Sequence, residues 1–135
     1  MTTTVSKGVG LPALNATFKA YDTGLATAQF CLVKLTSQGI VDVAAAATDA
    51  VVGVVDNVPY AAVGSDVTVI MLGEAKVKIG GAVAVGNRLA ADASGYGVAL
   101  TPGNTTVNYS VGFALEDGET NDIIRICVLP QVVLV

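Results

Sequence analysis

The sequence predicts an all-β protein: a small β-barrel or β-sandwich of short strands, with an extended N-terminal arm. Three observations predict it. Valine and isoleucine recur in short runs. Those runs are bounded by Gly, Asp and Asn, the residues that punctuate strands with turns. At residues 75–79, Lys76 and Lys78 alternate with Ala75, Val77 and Ile79, which places one strand face in water.

Residues 1–28 are polar and small, carry Gly8, Gly10 and Pro12, and show no sustained periodicity. They read as an extended arm that packs loosely or docks on a partner. Residues 29–135 read as a single β-domain. Strands are expected at 30–35 and 40–43, joined by the turn Ser37-Gln38-Gly39. Residues 44–47 are four alanines, too few to nucleate a helix. Residues 51–55 form the next strand, followed by a loop holding Pro59 and Gly64, then a strand at 67–72. Gly73-Glu74 is expected to turn the chain into 75–79, and Gly80-Gly81 to break it. Short strands at 83–85 and 88–90 lead to the turn Asp92-Ala93-Ser94-Gly95 and a return strand at 96–100. After the turn at 101–104 come a strand at 107–115, an acidic turn at 116–121 and a long strand at 122–129. Pro130 ends that strand or marks an edge, and 131–135 form a short apolar tail.

A weak internal repeat is visible. Val52-Gly53-Val54-Val55-Asp56 resembles Val111-Gly112-Phe113-Ala114-Leu115-Glu116, and each is followed by an Asp-led apolar strand beginning at Asp66 or Asp122. Two readings stand: a true repeat, or two ordinary hairpins of similar composition.

Composition limits the partners. The chain has 135 residues, enough for one core, and only 13% of them are charged. An average globular protein has roughly 25%. Two explanations compete, a very compact β-domain or an outer surface partly buried against other subunits; the shortage of charge favours the second, and a homo-oligomer is expected. Apolar runs are interrupted by Asp49, Asp56 and Gly73, well short of the ~20 residues a spanning helix needs, so no membrane partner is expected. The first residues lack the apolar core of a signal peptide. Net charge is −4 and the seven basic residues are dispersed, which argues against nucleic acid as a partner. Cys31 and Cys127 sit in apolar contexts and read as buried free thiols.

The chain has no histidine, so Ser-His-Asp and Cys-His catalytic pairs are impossible and the commonest zinc ligand is missing. The acidic stretch 116–122 lacks the alternating spacing of a calcium loop and reads as a solvated turn. No enzyme, cofactor or metal is expected. The scattered aromatics and absent tryptophan offer no base-stacking or sugar-stacking platform, although a ligand- or glycan-binding β-barrel stays an alternative.

The stretch Val77-Lys78-Ile79-Gly80-Gly81-Ala82-Val83-Ala84-Val85-Gly86-Asn87-Arg88-Leu89, followed by Ala91-Asp92-Ala93-Ser94-Gly95, resembles the central motif of phage capsid cement (head decoration) proteins. Val52-Gly53-Val54 and the strand ending at Gly73 upstream, and Gly112-Phe113-Ala114-Leu115-Glu116 with Ile123-Ile124-Arg125-Ile126 downstream, fit the same family. The resemblance covers roughly residues 28–130, and each piece is built of common β-turn residues. Residues 57–65 and the N-terminal arm have no placed counterpart in it. It implies a structural virion protein, made in the host cytoplasm. Such a protein binds the outside of an icosahedral capsid as a homotrimer and clamps neighbouring subunits of the major capsid protein. A head fibre base or tail protein is the alternative within the same class. Within the arm, Val5, Val9, Leu11 and Leu14 are the expected partner-binding residues, because an extended segment with spaced apolar side chains suits pairing with a neighbour's sheet edge.

Overall fold

The computed structural model describes residues 14–100 and 107–134. It contains nine strands: β1 (Leu14–Ala20), β2 (Leu32–Ser37), β3 (Ile40–Val43), β4 (Val51–Val55), β5 (Asp66–Lys78), β6 (Arg88–Ala91), β7 (Gly97–Ala99), β8 (Val107–Ala114) and β9 (Ile123–Leu134). A single 3-10 turn, Thr23–Thr27, is capped by Asp22, whose carboxylate accepts from the Gly24 N–H at 2.8 Å. The sheet order is β1-β3-β2-β4-β5-β9-β8-β6-β7, and β1 also pairs with β5. That last pairing closes β1, β3, β2, β4 and β5 into a five-stranded barrel. The all-β class and the barrel alternative are therefore what the chain adopts.

The weak repeat extends through every strand. β4 and β5 pair with Val54 opposite Ile70 and Val55 opposite Val69. β8 and β9 pair with Phe113 opposite Cys127 and Ala114 opposite Ile126. β2 sets Val33 against both Gly53 and Val43, and β6 sets Leu89 against both Gly112 and Ala99. β1 sets Ala16 against Val69 and Lys19 against Asp66, while the C-terminal half of β5 sets Ala75 against Ile126 and Lys78 against Ile123. The parallel pair Ala20–Val41 has its counterpart in the bridge Ile79–Gly97. One register thus maps β1–β5 onto the end of β5 and β6–β9. Among the described residues, the second ring closes through that one parallel bridge.

β5 ends the first unit and begins the second. Its burial alternates, with Val67 and Val69 turned into one core and Ala75 and Val77 into another. The first core takes Ala20, Val33, Val41, Val55, Val67 and Val69 from the five barrel strands, with Leu25 and Cys31 from the connecting segment. The second takes Leu32, Val54 and Ile70 from the opposite faces of the same barrel strands. They pack with Val77, Leu89, Val111 and Ile126. β4 and the first half of β5 are therefore buried on both faces, which explains their near-continuous apolar runs.

Five expectations are corrected. The arm read over residues 1–28 is strand from Leu14 onward, because the backbone of Leu14–Ala20 finds partners in both β3 and β5. Gly73-Glu74 is not a turn: β5 runs through it for 13 residues, since Gly73–Lys78 pairs with β9 as Asp66–Leu72 pairs with β1. Pro130 does not end β9. The register slips between Ser110 and Gly112 on β8, so Pro130 sits in a bulge where its missing N–H costs no ladder bond. Residues 131–134 are not a bare tail but pair with β8, burying Val133. Residues 83–85, read as a strand, contribute one bridge, Val83 to Gly118.

Candidate functional site

Of the four expected partner-binding residues, Val5, Val9 and Leu11 lie outside the described residues. Leu14 opens β1 opposite Leu72 and is 59% exposed, so its side chain is available to a contact. Residue Gly73, next along β5, pairs with Val128 of β9. β1 therefore begins where the two halves join.

The charged residues mostly organise turns. Glu116 accepts from the Arg125 N–H at 2.7 Å and from its Nε at 3.2 Å, and the Arg125 N–H first, its guanidinium second, holds the Glu116 pKa below the usual carboxylate value. Asp117 accepts from the Val85 N–H, and Asp122 from the Glu119 N–H. The acidic stretch is thus a turn whose carboxylates hold backbone N–H groups of the turn, of β9 and of residue 85. Asp49 accepts from the Ala45 N–H at 2.7 Å and from Lys34 Nζ at 3.2 Å, and the Ala45 bond is the main reason its pKa is lowered. Lys78 Nζ lies 4.9 Å from the centre of the Tyr96 ring, a cation–π contact on the face where Lys76 and Lys78 both point outward.

Among the described residues, no three His, Cys, Asp or Glu side chains gather into a metal site. Cys31 is a buried free thiol whose pKa is raised, chiefly by burial. Cys127 is free and half-buried, which only partly matches the expected burial. A shallow cleft of about 330 Å³ lies at the junction of the two halves, lined by Gln29, Phe30, Asp56, Glu74, Lys76 and Arg125. Arg125 there bridges Glu74 and Glu116. Phe30 adopts φ 69°, unusual for a bulky residue, and is held by its N–H to Val55 O at 2.8 Å and by the Lys78 N–H to its carbonyl at 2.9 Å. Those two bonds tie β4 to the second half of β5, so the strain serves the join.

The β4–β5 loop, residues 57–65, is expected from the sequence as a loop with Pro59 and Gly64 that lacks a counterpart in the resembled family; its exposed apolar surface is seen only in the structure. Val58, Tyr60 and Val63 stand 65%, 85% and 73% exposed, and Ala61 and Ala62 beside them are exposed as well. The backbone beneath is pinned. The Asn57 side chain donates to Asp66 O at 3.1 Å and accepts from the Thr68 N–H at 2.9 Å. Ser65 Oγ reaches Tyr60 O at 2.7 Å and Ala62 O at 2.5 Å. Gly64 N–H donates to Ala20 O, and Ala20 N–H to Ser65 O. The signal that could have found it is the run of nine residues without a charge between Asp56 and Asp66.

No family model matches the chain, and no curated protein matches it. Among solved structures, it is similar to the N base of the head fibre gp8.5 of bacteriophage phi29. The two share 18% identity with a TM-score of 0.55, over 87% of this chain and 95% of that one. At that identity the likeness shows a common fold.

Proposed function

We propose that this chain is a non-catalytic structural protein of a phage virion. It docks as a homotrimer on the outer surface of the icosahedral shell and stabilises the shell by clamping neighbouring major-capsid subunits. The observation that carries the reading is the fold shared with a phage head fibre base over nearly the whole of both chains. The low charge content and the exposed apolar loop support it, because both suit a protein that lives against other proteins. Val5, Val9 and Leu11, together with Leu14 at the start of β1, supply a partner-binding element.

A second reading keeps the chain in the virion as the base of a head fibre, and the structural neighbour, itself a head fibre base, favours it. Quantitative mass spectrometry of purified particles separates the two. A cement protein is present at a fixed ratio to the shell protein that saturates one class of lattice site, whereas a fibre base occurs together with a fibre shaft. Absence from the particle overturns both.

A further inference from the structure

We propose that the loop at residues 57–65 is the element that anchors this chain to its partner. Its occupant is an uncharged, apolar pocket on the shell protein, a surface repeated many times. The inference rests on the function proposed above and names the contact within it.

The internal repeat provides the control. The β4–β5 loop and the β8–β9 loop occupy the same place in the two halves, between strands paired in the same register. The second is acidic, with Glu116, Asp117, Glu119 and Asp122; Asp122 caps the turn itself, while Glu116 and Asp117 hold the Arg125 and Val85 N–H groups beside it. The first has no charge and turns Val58, Tyr60 and Val63 outward, with Tyr21 beside them, 54% exposed and next in sequence to Ala20, which bonds the loop. The same scaffold position therefore carries opposite surface chemistry, and the apolar version is the one that needs cover.

The pinned backbone lowers the ordering cost of binding, and an exposed tyrosine flanked by aliphatic residues is the composition that anchors protein interfaces. The occupant must itself lack charge, since the nine loop residues offer no ion partner and Asp66 at the loop's end is paired with Lys19. A lipid surface fits poorly: Lys19, beside the loop's end, is paired with Asp66, and interfacial anchoring draws on free basic residues beside the apolar ones. A second copy fits poorly as well. Two nine-residue loops face to face cover far less than the ~1,200–2,000 Å² of a stable interface. A contact this small becomes firm when it is repeated, as on a lattice that engages several copies of a linked assembly at once.

The test uses the full chain and virus particles purified from a knockout of its gene, with binding read by co-sedimentation. The double variant Tyr60→Ser/Val63→Asp, and the milder Tyr60→Ser, are compared with Glu119→Ser in the equivalent acidic loop. The expected result is at least a tenfold loss of particle affinity for the double variant and a smaller loss for Tyr60→Ser. Melting temperatures stay unchanged, and Glu119→Ser binds as wild type. Wild-type binding by both loop variants overturns the loop assignment and leaves the proposed function standing. Failure of the wild-type chain to bind particles overturns both. A change of oligomeric state in the loop variants, seen by sedimentation, assigns the loop to a contact between copies instead. Wild-type pelleting with phosphatidylcholine/phosphatidylglycerol vesicles that the double variant loses assigns it to lipid. Either result overturns the proposal.

Discussion

Two glycines show how single positions enforce the sheet. A Cβ on Gly53 would stand 2.1 Å from Ile70 O, and one on Gly112 would stand 1.8 Å from Cys127 O, with Gly112 also at φ +148°. They hold equivalent places in the two halves, so the close approach of the hairpin strands is built in twice. Gly112→Ala is expected to cost on the order of 2–4 kcal/mol from overpacking and backbone strain, and Gly53→Ala somewhat less. Gly81→Ala, with no atom within 4 Å, is expected to be near neutral. Thermal denaturation of the three variants checks the order. Asp49 gives a pH-dependent case. It holds the Ala45 N–H and Lys34, and its folded pKa lies below the unfolded one. Its contribution is therefore full above the ordinary carboxylate pKa and drains as pH falls through the lower folded value. Asp49→Asn is expected to lose about 1–2 kcal/mol at pH 7. The gap between variant and wild type should close in acid, as measured by urea unfolding at both pH values.

At the scale of elements, β1 and β5 decide the architecture. β1 closes the first barrel by joining β3 and β5, and it seats Ala20 in the core. A truncation that removes residues 1–13 leaves every described pairing in place and is expected to melt cooperatively. A truncation through Ala20 opens the barrel and exposes Val67 and Val69, and it is expected to lose the cooperative melt by circular dichroism. Equal melting curves for the two truncations would show that β1 is dispensable. β5 could be read in the sequence as two strands and a turn because Gly73 interrupts its apolar pattern. The turn does not form, because each half of β5 finds its own antiparallel neighbour, β1 for one and β9 for the other. A glycine marks freedom to bend; whether the chain bends depends on the partners available.

For the whole molecule, the duplication raises the question of whether the halves fold independently. They share β5, and one buried cluster contains Leu32, Val54 and Ile70 from the first half with Leu89, Val111 and Ile126 from the second. The first barrel has an interior core of its own, but its outer face and the core of the second half lie in that shared cluster. A single unfolding transition is expected, with tyrosine fluorescence and far-ultraviolet circular dichroism coincident in denaturant. Two separated transitions would show that the halves are autonomous. The long-range character of the pairing also predicts slower folding than a helical chain of this size, because distant strands must meet before any barrel closes.

The sequence by itself determined the strand content, most turn positions, the wet face at residues 75–79 and the two Gly-centred hairpins. Each is a local pattern: period-two alternation, a turn residue at a run's end, or an apolar run buried on both faces. It also determined that chemistry requiring histidine is impossible. The tertiary structure alone decided that Leu14–Ala20 joins the barrel, that β5 continues through Gly73, that β9 continues through Pro130, and that the weak hairpin likeness is a repeat of whole units. All four depend on which backbone lies alongside. A strand's second hydrogen-bonding edge leaves no mark in its own side chains, so its partner is chosen by closure of the sheet. The exposed loop at 57–65 follows the same division: its missing charge is written in the sequence. That its apolar side chains point outward follows only from Pro59 turning inward and from the bonds that Asn57, Gly64 and Ser65 make beneath them.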